Sequence, residues 1–143
     1  GKLAPVAFGA IITPAHTDIE ARLLMIKNDL ETIIEKYSPS EMAIEELFWN
    51  TNQKTGISVA EARGTILLAD HKKGLQINEY TPLQVKQAVV GYGRAEKRQV
   101  IAMVTSILNL PKPPKPDDTA DALAIAICQG HAGSNILGKY YKM

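Results

Sequence analysis

The sequence predicts an α/β fold with a central sheet largely covered by helices, and two observations support this prediction. Short apolar segments typical of strands alternate along the chain with longer segments of helical periodicity. The predicted order is strand, helix, strand, helix, strand, helix, helix, which favours layered α/β architecture. The length of 143 residues suits one hydrophobic core, so we expect a single domain over residues 1–143.

The first strand and the first helix are predicted from apolar patterning. Residues Pro5 to Thr13 are apolar and β-branched, which predicts a strand that Pro14 ends. From Ile19 to Tyr37, apolar residues recur at alternating steps of four and three, which places them on one face of a long helix. We expect this helix to end near Ser38-Pro39-Ser40.

A second strand and a second helix are predicted next. The run Met42 to Phe48 is apolar apart from an acidic pair, which predicts a strand that leads into a polar loop. Ser58 and Glu61 have the spacing of a capping box, so the second helix is predicted to begin there. Gly74 is expected to end it.

The third strand is predicted at Leu75 to Tyr80, and a helix start follows it directly. Thr81-Pro82 places proline at the first helical position, where its missing N–H does no harm. This segment is expected to continue to Val90 and to be interrupted by Gly91-Tyr92-Gly93.

The last two helices are predicted on either side of a proline-rich connector. One helix is expected from about Ala95 to Leu110, and the connector spans Pro111 to Pro116. The final helix is expected to begin around Asp117. Because Cys128 follows the small and apolar run Ala122 to Ile127, we interpret it as a buried core thiol.

Composition excludes several classes of protein and points to local charge. Sixteen basic and 15 acidic residues give a net charge of +1, which excludes the overall positive field of a histone-like binder. From Gln84 onward there are eight basic residues and four acidic ones, and three of these acids are Asp117, Asp118 and Asp121. A basic surround with an acidic focus suits a phosphate held beside a metal ion.

The chain carries no sign of export or membrane insertion. No apolar run approaches the length of a membrane span, and the start Gly1-Lys2-Leu3 has no secretory apolar region. We therefore expect a cytoplasmic protein without membrane contact.

Three carboxylates interrupt segments that otherwise look buried. Asp118 and Asp121 are three residues apart, so they emerge on one helix face and are able to share a cation such as Mg²⁺. Glu45 lies in an apolar strand. The alternatives are helix capping for the aspartates and an edge-strand charge or ion pair for Glu45.

Four segments of the chain resemble successive signatures of the RuvC family of bacterial Holliday junction resolvases. They are Ala43–Phe48, Ala62–Gly64, Glu79–Gly93 continuing through Ala95–Lys97, and Asp118–Ala126. The resemblance implies a ribonuclease-H-like fold with a mixed sheet flanked by helices. It also implies a homodimer that binds a four-way DNA junction, nicks it with Mg²⁺ or alternatively Mn²⁺, and works with the RuvA-RuvB branch-migration complex.

The resemblance assigns roles to individual residues. Glu45, Asp118 and Asp121 fall on metal-holding catalytic carboxylates, and Lys97 falls on a lysine that binds DNA or stabilises the reacting phosphate. We count Lys97 among the catalytic residues as well.

Three further residues are predicted to contact DNA. Lys86 falls on the second family lysine, and Phe48 falls where an aromatic ring can stack on an unpaired base. Arg63 is assigned to a backbone phosphate, with a structural ion pair as the open alternative.

One departure from the family pattern concerns the start of the chain. The family begins with a strand ending in Gly-Ile-Asp-Pro-Gly, whose Asp is a further metal ligand, and this sequence contains neither that motif nor the next strand. Asp70 is no evident replacement, because it lies at what looks like the polar end of a helix. We therefore expect an N-terminally incomplete nuclease domain that does not cut by itself. The alternatives are a catalytically inactive junction-binding module and, less favoured, a nuclease for RNA–DNA hybrids.

Overall fold

The computed structural model describes residues 2–46 and 53–134, and within them five α-helices accompany a two-stranded parallel sheet. The elements in chain order are α1 (Ile19–Tyr37), β1 (Glu41–Glu45), α2 (Gln53–Lys72), β2 (Gln76–Tyr80), α3 (Pro82–Val89), α4 (Lys97–Ile107) and α5 (Asp117–Ser134). The predicted α/β class is confirmed. No helix in this described part is long and apolar enough to cross a membrane.

Backbone hydrogen bonds fix the register of the two parallel strands. The N–H of Gln76 donates to the carbonyl of Ser40 at 3.1 Å, at the start of both strands. At the other end, the N–H of Glu46 donates to the carbonyl of Tyr80 at 2.8 Å. The carboxyl ends of β1 and β2 therefore lie side by side.

The chain divides into two compact units. In its described part, the α3–α5 unit comprises residues 2–10, 43–46 and 79–134, and the α1–α2 unit comprises residues 11–42 and 53–78. Each unit has its own apolar core.

The core of the α3–α5 unit consists of side chains from β2, its three helices and the adjoining turns. Val104 on α4 and Ala124 on α5 are completely buried, and the small alanine allows the helix surfaces to approach closely. The other buried members are Tyr80, Val85, Val89, Ala95, Val100, Leu108, Leu123, Ile127 and Cys128. The predicted burial of the thiol is thus confirmed.

The core of the α1–α2 unit is smaller and consists of Leu30, Ile34, Ala69 and Leu75. The predicted helix over Ile19–Tyr37 is confirmed, but its most buried face runs through Leu30 and Ile34. Ile33 and Tyr37 remain 43% and 42% exposed. A period of 3.6 residues puts Ile34 above Leu30 and turns its neighbours to the side.

The strand predicted at Pro5 to Thr13 is wrong. Residues 2–14 form no strand, and Val6 and Ile12 are each 82% exposed. A β-type composition makes a strand only where a neighbouring backbone supplies ladder partners, and the described residues supply none for this segment.

The predicted start of the second helix is also wrong. Helix α2 begins at Gln53, so Ser58 lies inside the helix rather than at its cap. The serine-to-glutamate spacing occurs by chance within helices, and Gly56 weakens helical propensity by only about 1 kcal/mol, which does not stop a helix of this length.

The end of α2 and the start of α3 lie close to the glycine and proline that predicted them, and α4 begins close to its predicted start. Gly74 adopts a φ of 78° just after α2, as a helix-ending glycine should. Thr81 caps α3 through a capping box with Gln84, with Pro82 at the first helical position. Helix α4 is shorter than predicted and begins at Lys97, after the cap residue Glu96.

Candidate active site

Glu45 is placed by the register of the sheet. It is the last residue of β1, and the neighbouring Glu46 N–H is held by the carbonyl of Tyr80. Side chains two residues apart share a face of a strand, so Glu45 lies on the face of Ala43, which packs against the core of the α3–α5 unit.

The two aspartates are presented by the first turns of α5. Thr119 and Ala120 between them are buried, which fixes the rotation of the helix against the core. As a result, the Asp118 side chain is 92% exposed, whereas the Asp121 side chain is 46% exposed. Asp121 is therefore the aspartate closer to the apolar interior.

Lys97 connects the beginnings of α4 and α5. Glu96 and Gln99 form a capping box that fixes the first turn of α4, where Lys97 is the first helical residue. Its Nζ lies 3.5 Å from Oδ2 of Asp121 and 3.9 Å from Oδ1 of Asp118. One ammonium group thus lies within ion-pair distance of two carboxylates and offsets part of their negative charge.

These groups border a cavity of about 250 Å³ within the α3–α5 unit. Its charged rim consists of Glu45, Lys86, Lys97 and Asp121, and its apolar floor consists of Pro82, Val85, Val100, Ala124 and Ile125. The structure therefore brings together four of the predicted site residues, and it places Asp118 beside them through Lys97.

The carboxylates influence one another. Partial burial raises the pKa of the Glu45 carboxyl above its ordinary value, and the negative charge of Asp121 raises it further. A cation beside these two carboxylates would favour the ionised form of Glu45.

The donor set suits a hard divalent cation that is completed by substrate. As placed, no three His, Cys, Asp or Glu side chains of residues 2–46 and 53–134 converge on a point where they would hold a metal ion. Mg²⁺ is commonly bound through only one or two carboxylates, with water and substrate phosphate supplying the other oxygens. Glu45 and Asp121, with Asp118 alongside, fit that mode of binding.

The structure does not bring the two remaining predicted DNA-contacting residues to this cavity within its described part. Phe48 lies outside the described residues. Arg63 lies on α2, in the α1–α2 unit, and its role stays a prediction.

Sequence reasoning missed the floor of the cavity and one polar contact behind it. Val85, Val100 and Ala124 follow ordinary helical periodicity, so nothing in the sequence separates them from other core residues. The Tyr80 hydroxyl donates a hydrogen bond to Oε1 of Gln129, joining β2 to α5. A tyrosine at the end of a strand was the signal for that contact, because a buried hydroxyl needs a partner.

Comparison with known proteins gives consistent results. Residues 1–129 match the family model described as Crossover junction endodeoxyribonuclease RuvC. A protein of that name from Clostridioides difficile is 52% identical over 97% of this chain and 86% of its own length. Another, from Heliobacterium modesticaldum, is 56% identical over 92% of this chain and 81% of its own.

Solved structures agree with these relatives. The structure of Thermus thermophilus RuvC in complex with a Holliday junction substrate matches with a TM-score of 0.87 and 31% identity. That match covers 92% of this chain and 80% of the Thermus chain. A second Thermus thermophilus RuvC structure matches with a TM-score of 0.84 over the same shares. The ribonuclease-H-like fold that the sequence motifs implied is thereby confirmed.

Proposed function

Because this chain belongs to the RuvC family of crossover junction endodeoxyribonucleases, we propose that it nicks four-way DNA junctions by metal-assisted hydrolysis of a phosphodiester bond. The observation that carries the proposal is the meeting of Glu45, Asp121 and Lys97 at one cavity of the α3–α5 unit. Carboxylates and a lysine ammonium at one opening supply both of the charge types that phosphoryl chemistry uses.

The carboxylates have the role of holding a divalent ion. Glu45, Asp118 and Asp121 are the ligands, and Mg²⁺ is the ion, with Mn²⁺ as the alternative. When bound, the ion supplies Lewis-acid polarisation of the scissile phosphate. The pKa of Glu45, raised by burial and by Asp121, supports the need for a cation at this point.

The lysines hold DNA through its phosphates. Lys97 is 54% exposed and is able to donate to a non-bridging oxygen of the scissile phosphate, which makes it catalytic as well as DNA-binding. Lys86 on α3 lines the same opening and is assigned to a neighbouring phosphate.

Other partners follow from the family and from features outside the cavity. The solved relative in complex with a Holliday junction supports the junction as substrate. Exposed apolar side chains in the α1–α2 unit, Leu24 (55%) and Leu68 (68%), support a homodimer, since such residues mark interfaces. The proposal has four further parts. Phe48 stacks on a base and Arg63 binds a phosphate, and the protein works with the RuvA-RuvB complex in the cytoplasm.

The test is strand nicking of a synthetic four-way junction in the presence of Mg²⁺ by the protein extended with the family's first two strands, because the chain without the Asp of the first strand is expected not to cut. The variants are made in this extended protein. Asp121→Asn and Asp118→Asn should each abolish nicking and leave junction binding largely intact, because removing one oxygen ligand lowers charge stabilisation by several kcal/mol.

Asp117→Asn is the matched control for these variants. Asp117 lies in the same helical turn, but it pairs with Lys115 at 3.2 Å and does not border the cavity. We expect it to nick at the rate of the extended protein without substitutions. Nicking by Asp121→Asn at that rate would remove that residue from the site and overturn the proposal.

A further inference from the structure

The ammonium group of Lys97 occupies the position of a shared counter-ion. Its distances of 3.5 Å to Asp121 and 3.9 Å to Asp118 exceed the roughly 2.7–2.9 Å typical of a charge-assisted hydrogen bond. The side chain is about half exposed and has a flexible four-carbon stem. The ammonium is therefore held by charge rather than by tight geometry, and it is able to leave without any change in the fold.

Two opposing electrostatic interactions act on the Asp121 carboxylate. Glu45 borders the same cavity with a like charge, which adds to the effect of burial in raising the pKa of Glu45, and Lys97 faces Asp121 with an opposite charge. A divalent ion bound to Asp121 would relieve the first interaction, but it would lie within a few ångströms of the Lys97 ammonium. At about 4 Å in a water-like dielectric, a double and a single positive charge repel strongly enough to change affinity about tenfold or more.

We propose that Lys97 is an exchangeable counter-ion that weakens divalent metal binding in the DNA-free protein and releases the aspartates when a DNA phosphate attracts its ammonium. This inference rests on the proposed function in one respect, namely that these carboxylates bind a divalent ion. It adds that metal and DNA strengthen each other's binding through Lys97. Since such coupling is reciprocal, the phosphate that removes the ammonium must also bind more tightly when metal is present.

The consequence is a site that acquires its metal together with its substrate. In the absence of DNA, the Lys97 ammonium already offsets part of the negative charge of Asp118 and Asp121, so a divalent ion gains less on binding. With a phosphate at the cavity, the ammonium has an alternative anion and the aspartates are available to the ion.

Lys86 offers a matched control. It borders the same cavity, yet within the described part of the chain it forms no ion pair with an aspartate. Lys86→Met removes a positive charge from the rim without removing the counter-ion, whereas Lys97→Met removes both. Lys97→Arg retains the charge, so its affinity for Mn²⁺ in the DNA-free protein should be close to that of the wild type.

The experiment is calorimetric titration of the DNA-free protein with Mn²⁺. We expect Lys97→Met to bind Mn²⁺ about tenfold more tightly than the wild type, and Lys86→Met to change the affinity by less than about threefold. The titration is repeated with a four-way junction that carries uncleavable linkages, with the junction alone as blank. The junction should then strengthen Mn²⁺ binding more in the wild type than in Lys97→Met.

The two proposals fail in distinguishable ways. If Lys97→Met binds Mn²⁺ no more tightly than the wild type or Lys86→Met, the exchange is overturned, while metal binding by the carboxylates stands. If Asp121→Asn binds Mn²⁺ as well as the wild type does, the proposed metal site itself is overturned.

Discussion

Two aspartates that lie in apolar surroundings differ in burial and in whether a cationic side chain of the described part pairs with them. Asp121 is half-buried and faces Lys97. Asp70, which the sequence suggested to be at the polar end of a helix, is completely buried, and neither carboxylate oxygen has a hydrogen-bond partner in the described part of the chain. His71 and Lys72, which follow Asp70, are exposed and concealed this difference, because a helix can bury one residue directly beside solvated ones.

The burial of Asp70 predicts a specific dependence of stability on pH. Burial raises the pKa of its carboxyl from 3.8 to about 6. The folded state therefore holds this proton more tightly than the unfolded state, so stability is greatest below the unfolded pKa and is lost as pH rises through the folded pKa of about 6. A pKa shift of this size lowers the free energy of unfolding at high pH by about 3 kcal/mol.

Asp70→Asn removes the charge at nearly constant volume, so it should raise the free energy of unfolding by up to about 3 kcal/mol near pH 8. Below about pH 4, where both states hold the proton, the variant and the wild type should be nearly equal. Urea unfolding at both pH values measures the difference. An equal effect at the two values would show that Asp70 does not carry the pH dependence.

Lys86 provides a residue-level prediction about DNA binding. If its ammonium contacts one phosphate, Lys86→Ala should reduce the slope of log affinity against log salt by about one unit. Junction binding at several salt concentrations gives the slope. An unchanged slope would assign Lys86 to the solvated surface, and Lys115→Ala, at a lysine that pairs with Asp117, is the control.

Elements were predictable where local chemistry determines them. The capping box of Thr81 and Gln84, the proline after it and the positive φ of Gly74 are properties of a few adjacent residues, so the sequence contains them in full. The segment Pro5 to Thr13 needed a partner strand, and the start of α2 depended on more than the spacing of Ser58. Both depend on distant packing, which local patterns do not encode.

The contact between β2 and α5 yields a prediction at the same scale. Tyr80 is buried at the end of β2, and its hydroxyl donates to Oε1 of Gln129 on the helix that carries Asp121. Tyr80→Phe should lower the free energy of unfolding by about 1–2 kcal/mol, because a partly buried acceptor loses this donor.

Tyr92→Phe is the matched control for that change. Its hydroxyl also donates to a glutamine, Gln99, at 2.9 Å, but Tyr92 is 47% exposed. Water replaces the lost bond there, so the expected change is below about 0.5 kcal/mol. Equal effects of the two substitutions in thermal unfolding would contradict a structural role for the Tyr80 contact.

For the molecule as a whole, the sequence predicted which residues share the site, but not the cavity between them or the distances that separate them. Acidic residues in apolar segments, together with the motifs of a known family, selected Glu45, Asp121 and Lys97 although they are far apart in the chain. The cavity volume, its apolar floor and the two unequal distances from Lys97 to the aspartates arise from the packing of α3, α4 and α5. Such distances are properties of the tertiary structure alone.

The net charge of +1 means that attraction to DNA must come from local groups rather than from the overall field. Lys86 and Lys97 line the cavity that Glu45 and Asp121 also line, so they place positive charge where the proposed phosphate contacts need it. Selectivity for a branched substrate then has to come from shape, because phosphate contacts alone do not distinguish a junction from a duplex.

The most direct measurement compares strand nicking of a four-way junction and of a linear duplex of the same sequence, with Mg²⁺, by the protein extended with the family's first two strands and by its Glu45→Gln and Glu46→Gln variants. Glu46 is the next residue in the chain and does not border the cavity, so it controls for the loss of a charge at this strand end. We predict that the extended protein and its Glu46→Gln variant nick the junction, that the Glu45→Gln variant does not, and that the duplex stays intact. Nicking of the junction by the Glu45→Gln variant at the rate of the extended protein without substitutions, or of the duplex as fast as the junction, would contradict a junction-specific nuclease site at this cavity.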